Sequence, residues 1–198
     1  MIYRFLVLLL VLLISACDTG SSTTGKTIFQ GTDITGADWG KELRLTDHNG
    51  QRRSLADFHG KVVVLFFGYT HCPDVCPTTL GELGIVLKRL GPEAAKVQVL
   101  FVTLDPARDT PAILAQYVPS FNPSFLGLTG SDEEIAQTAK AFKVFFKKQE
   151  GTSKAGYMMD HSANTFVIDP QGRLRLLFGF GSGAAPLVHD IQQLLAGK

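Results

Sequence analysis

Charge is scarce in this chain and nearly cancels: 19 lysines and arginines stand against 18 acidic residues, for a formal net charge of +1. The basic residues gather into nothing larger than short pairs such as Arg52-Arg53 and Lys147-Lys148. Without a basic face the chain has no electrostatic footprint for nucleic acid. Nor does any apolar run reach the roughly 20 residues that a membrane-spanning helix needs. There is no internal repeat and no second linker. Cysteine is rare, three in 198 residues, so each one can be followed separately. What is abundant is apolar sequence, 45% of the chain, which describes one ordinary globular domain with an apolar addition.

That addition sits at the N-terminus. Arg4 precedes ten uninterrupted apolar residues, Phe5 to Ile14, and small residues follow before Cys17. The layout is that of a secretory signal peptide. The segment "ISAC" resembles a bacterial lipobox, so residues 1–16 are read as a lipoprotein signal peptide and Cys17 as the lipidated first residue of the mature chain. A plain anchor that stays attached is the alternative. Both place the domain in the cell envelope, facing the periplasm or extracytoplasmic side. Asp18 resembles an inner-membrane retention signal, and the polar stretch after it makes residues 17–29 a flexible tether to a domain spanning 30–198.

With Cys17 used as an anchor, Cys72 and Cys76 remain, in "GYTHCPDVCP". Outside the cytoplasm a lone pair reads first as a structural disulfide. Yet a bridge across so short a loop removes little unfolded-state entropy, and a domain of this size does not need one. A reactive pair is the better reading.

The remaining pattern alternates strands and helices. "KELRLTDHNGQRRSL" is expected to form a hairpin around "DHNG". "KVVVLFF" and "KVQVLFVTL" are β-branched and almost continuously apolar, as strands buried on both faces are. Between them, Leu80, Leu83, Leu87 and Leu90 share one helical face and Gly91 stops the helix. Thr110 with Pro111, and Ser131 with Glu134, mark two further helix starts. "NTFVID" and "RLRLLFGF" read as strands and "PLVHDIQQLLAG" as a closing helix.

On this map the cysteines fall in a strand-to-helix loop, with the helix expected from about Pro77, because proline is tolerated only in a first turn. The positive helix end favours thiolate, the form that attacks disulfides and binds metals. Three residues separate the two cysteines where thioredoxins have two, which leaves room for an ion. Of the five histidines, His48, His59 and His189 read as solvated surface residues, and His71 as a weak candidate ligand. His161 stands out in a loop leading into "NTFVID", where its imidazole can meet the two thiolates; Asp160 could support it or cap the turn. Two soft thiolates and an imidazole suit copper better than structural zinc, which wants four ligands. Met158 and Met159 read as strand core, with a thioether contact to copper as the alternative.

Together "FGYTHCPDVCP", "TLDPARDTP", "GLTG" and "DHSANTFVIDPQG" resemble the Sco/SenC family over roughly residues 30 to 195. The resemblance implies an α/β, thioredoxin-like fold: a central mixed sheet with helices on both faces and an N-terminal hairpin extension. It implies that Cys72, Cys76 and His161 bind one copper ion, as Cu(I) or Cu(II), and that the cysteine pair can instead close into a disulfide. It further implies assembly of cytochrome c oxidase, with the dinuclear copper site of subunit II as acceptor. Other periplasmic copper chaperones or thiol reductases would be further partners. Asp105 and Arg108, in "TLDPARDTP", read first as structural, with Asp109 or Thr110 capping the next helix. Partner docking or support of the metal ligands is their alternative role. Two rival functions stay open: a thiol:disulfide oxidoreductase needing only the cysteine pair, and a thiol peroxidase in which Cys76 attacks peroxide and Cys72 resolves.

Overall fold

The computed structural model describes residues 28–153 and 156–198. The apolar leader, Cys17 and the tether as far as Thr27 lie outside the described residues. The strands are β1 (Thr32–Asp33), β2 (Arg44–Asp47), β3 (Arg52–Ser54), β4 (Val62–Gly68), β5 (Val97–Thr103) and β6 (Leu126–Thr129). They continue with β7 (Phe146–Ser153), β8 (Gly156–His161), β9 (Thr165–Ile168) and β10 (Leu174–Phe178). The α-helices are α1 (Val75–Leu90), α2 (Pro111–Tyr117), α3 (Asp132–Ala141) and α4 (Ala184–Leu195).

Eight strands form one sheet in the order β1-β10-β9-β4-β5-β6-β2-β3, and β7 and β8 pair only with each other. Strand β4 runs parallel to β5 and antiparallel to β9, so the sheet is mixed and α1 is the crossover of a βαβ unit. Every residue of β4 and β5 is buried, which is why these runs are apolar without alternation. Their faces still divide by parity. Val62, Val64 and Phe66 pack with Leu80, Leu83 and Leu87 of α1 and Leu187, Ile191 and Leu194 of α4. Val63, Leu65 and Phe67 pack with Ile135, Ala139 and Phe142 on and just after α3. Helices thus cover both faces of a thioredoxin-like sheet, and the β2–β3 hairpin extends its edge beyond β6.

Three local differences from the sequence reading have physical causes. Helix α1 begins at Val75, so Pro77 occupies its third position, where a backbone N–H would have no helical partner anyway. Cys76 therefore lies inside the first turn instead of before it. His48 is not a free surface residue, since its Nδ1 accepts a hydrogen bond from the Gly127 N–H at 3.0 Å. Finally, β7 and β8 form a hairpin where only a loop was expected, and His161 is the last residue of β8.

Candidate metal centre

Strand β4 ends at Gly68, and the chain turns through Tyr69 to Asp74 before α1. The turn delivers Cys72 to a part-buried position and Cys76 to full burial against the sheet. Gly68 makes room for it: a Cβ there would stand 2.8 Å from Cys76 Sγ and 2.9 Å from the Phe101 ring. Both cysteines are free thiols. The Cys76 backbone N–H donates to Cys72 Sγ at 3.4 Å.

The third donor comes from β8. His161 Nε2 lies 3.5 Å from Cys76 Sγ, and the ligand atoms of Cys72, Cys76 and His161 all lie within 4.8 Å of one another. Nδ1 is 3.0 Å from the Ser162 carbonyl oxygen. A carbonyl only accepts, so the proton sits on Nδ1 and the Nε2 lone pair is turned toward the sulfurs. The imidazole is held edge-on by Phe66 and Tyr69, with ring centroids 6.3 and 6.0 Å away. Among the described residues this is the one group of three or more His, Cys, Asp or Glu donors close enough to share an ion.

The two thiols are electrostatically unequal. A hydrogen bond from the Cys76 thiol lowers Cys72 to a pKa of about 3, outweighing the opposing effect of burial, with help from the Asp74 and Cys76 backbones. Donation to the Cys72 thiolate, together with burial, pushes Cys76 up. Thiolate character thus falls on Cys72 and the proton on Cys76. Two tyrosines that the sequence reading passed over feel the same site, Tyr69 packed edge-on to His161 and Tyr117 through the charge of the thiols. Burial raises Tyr69, and burial with the nearby thiols raises Tyr117, whose buried hydroxyl has no hydrogen-bond partner among the described residues.

Donor chemistry fits copper. Two donors each about 2.0–2.3 Å from a shared ion are compatible with the 3.5 Å separation of Cys76 Sγ and His161 Nε2. Thiolates are soft ligands that select Cu(I), and among the described residues no fourth such donor completes the tetrahedron of a structural zinc site.

Other residues singled out from the sequence fall elsewhere. His71 is exposed and pairs with Thr70 Oγ1 at 3.1 Å. Asp160 does not support His161: neighbouring strand residues face opposite ways, and its carboxylate accepts from Gln149 Nε2 at 2.7 Å on the exposed face. Thr110 caps α2 by accepting from the Ile113 N–H. Asp109 instead lies fully buried and accepts from the Thr70 N–H and from the Thr70 and Thr103 hydroxyls, at 2.9, 2.6 and 2.6 Å. Asp105 accepts from Arg108 Nε and from the Tyr157 hydroxyl.

Residues 31–196 match the family model described as SCO1/SenC. The chain belongs to the SCO1/SenC family. Among its curated relatives, the mouse mitochondrial SCO2 homolog is 38% identical over 157 residues, 78% of this chain and 62% of that relative's length. Two solved structures of the family are close in both sequence and shape. Thermus thermophilus apo Sco1 is 42% identical with a TM-score of 0.75, covering 84% of this chain and 97% of that one. Bradyrhizobium japonicum ScoI, solved with copper bound, is 37% identical with a TM-score of 0.71, covering 83% and 99%.

Proposed function

We propose that this SCO1/SenC protein is an extracytoplasmic copper chaperone held to the membrane through a lipid on Cys17. It would bind one copper ion through Cys72, Cys76 and His161 and deliver it to the dinuclear copper site of cytochrome c oxidase subunit II. The single observation that carries this reading is the convergence of two thiols and an imidazole, 85 residues apart in sequence, with Nε2 3.5 Å from Cys76 Sγ. Copper-bound ScoI from Bradyrhizobium japonicum, 37% identical, supports the choice of metal.

Copper is cargo here, and the chain's own groups govern its uptake and release. Cys72 supplies a thiolate at neutral pH without a separate base. Taking up a cation displaces the proton held by Cys76, so binding releases a proton. The hairpin that carries the histidine leaves Phe145, 62% exposed, and Met158, 36% exposed, in solvent on the face opposite to His161. Apolar side chains left in water on the ligand-bearing hairpin suit docking of an acceptor.

A second reading has its own support, because a low-pKa Cys72 beside a protonated Cys76 is also the arrangement of a dithiol reductant. Reduction of an acceptor disulfide would move two electrons from the pair and leave Cys72 and Cys76 joined. The decisive experiment mixes copper-loaded reduced protein with oxidised, copper-free subunit II domain and follows copper and thiols on both partners. Copper moving without thiol change supports the chaperone; thiol exchange without copper movement selects the reductase.

A further inference from the structure

The hairpin that carries His161 makes no ladder with the main sheet. Its position against the two cysteines must therefore be set by side chains and loops. At its base the Ser162 N–H donates to the Phe145 carbonyl at 2.9 Å, which closes the hairpin on itself. Part of the anchorage to the domain comes from one loop, the segment from Thr103 to Asp109 between β5 and α2.

Arg108 is the centre of that anchorage. Its Nη1 donates to the Tyr157 carbonyl of β8 at 3.1 Å, and its Nε to Asp105, whose other oxygen accepts from the Tyr157 hydroxyl at 2.7 Å. The guanidinium carbon lies 3.7 Å from the centroid of the Tyr157 ring and 5.9 Å from that of Tyr69. Lys148 covers Tyr157 at 4.0 Å. Tyr69 in turn stands edge-on to His161, 6.0 Å between centroids and 85° between planes. Arg108 thus reaches the ligand by two routes, along β8 from Tyr157 and across Tyr69. At the far end of the same loop, Asp109 fixes Thr70 and with it the approach to Cys72.

The energetics argue for placement over stability. Among the described residues Arg108 Nη2 is buried without an acceptor, and a buried donor left unpaired detracts from stability. A buried ion pair is in any case a poor source of net stability. A planar fork stacked on one ring and bonded to both carbonyl and carboxylate does, however, fix position and direction.

We propose that Arg108 is a positioning residue for the third ligand: with Asp105 it clamps Tyr157 and holds the β8 hairpin so that His161 Nε2 meets the two sulfurs. Arg108 thereby sets the histidine's share of metal binding separately from the thiol chemistry of Cys72 and Cys76, whose approach Asp109 holds. This rests on the copper reading above.

The test uses full-length protein, Cu(I) competed against a chromophoric chelator, and the variants Arg108→Gln, Arg108→Lys, His161→Ala and Arg108→Gln/His161→Ala. Arg108→Gln is expected to weaken Cu(I) binding about 10- to 100-fold, the range for loss of a group that orients a metal ligand. Arg108→Lys keeps the charge without the fork and should recover little. Alkylation of Cys72 should proceed at the wild-type rate. In the His161→Ala background the Arg108 substitution should cost nothing further, because its effect passes through the histidine. An equal penalty with and without His161, or wild-type affinity in Arg108→Gln, overturns the proposal. If Arg108→Gln does not fold, Tyr157→Phe, which removes only the hydroxyl bond to Asp105, takes its place with a smaller loss. Copper-free protein supplies an independent readout: modification of His161 by diethyl pyrocarbonate should accelerate in Arg108→Gln. A wild-type protein that binds no copper defeats the chaperone reading alone, and the modification rate then decides the clamp, an unchanged rate overturning it.

Discussion

Cys76 Sγ and His161 Nε2 stand 3.5 Å apart although 85 residues separate them in the chain. The contact joins the first turn of α1 to the end of a hairpin outside the main sheet, and most of the chemistry expected of this protein depends on it.

Gly68 protects one side of that contact. Substitution by alanine would put a methyl carbon 2.8 Å from Cys76 Sγ and 2.9 Å from the Phe101 ring, both within buried surroundings. Gly68→Ala is expected to lose about 1–3 kcal/mol in urea unfolding, as overpacked cores do. Gly81, inside α1 with nothing within 4 Å of an added Cβ, is the control. There alanine should stabilise by about 0.5–1 kcal/mol.

The inequality of the thiols predicts a pH profile. A thiol whose folded-state pKa is depressed stays thiolate above that value and is protonated only below it; for Cys72 the value is about 3. Iodoacetamide should therefore label Cys72 at about pH 5, where an ordinary cysteine with a pKa of about 8.5 is inert. Replacing Cys76 by alanine removes the main donor to the thiolate, so the labelling midpoint should move upward. A wild-type midpoint near that of free cysteine would contradict the assignment.

Asp190 pins the start of the domain. Fully buried in α4, its carboxylate accepts from the backbone N–H groups of Gln30 and Gly31 at 2.8–2.9 Å. Asp190→Ala strands two backbone donors and is expected to cost about 1–3 kcal/mol. Limited proteolysis should then cut near residue 30 in the variant well before the wild type, and equal cleavage rates would refute the latch.

The sequence made the sheet centre readable for a simple reason. Strands β4 and β5 are buried on both faces, and short, β-branched, unbroken apolar runs are what such strands require. Helix starts were readable because Thr110 and Ser131 do make the capping bonds their types suggest. Hairpin β7–β8 was not, because "FKKQEGTS" carries no alternating apolar pattern: the strand pairs with β8, and Phe146 at its start is the residue that packs against the core. The same blind spot placed His161 in a loop and gave Asp160 a supporting role, whereas strand alternation turns its carboxylate outward to Gln149. The histidine itself was identifiable from its motif. Its anchorage through Arg108 and Tyr157 was not, since a contact across 49 residues leaves no local signal.

The central claim is that Cys72, Cys76 and His161 share one copper ion. Titrating copper into reduced full-length protein, with metal content and thiolate-to-copper absorption followed together, tests it most directly. Wild-type protein should saturate at one copper per chain with a charge-transfer band, and His161→Ala should lose that band and bind more weakly. A His161→Ala complex unchanged in stoichiometry, spectrum and affinity would contradict the three-ligand site.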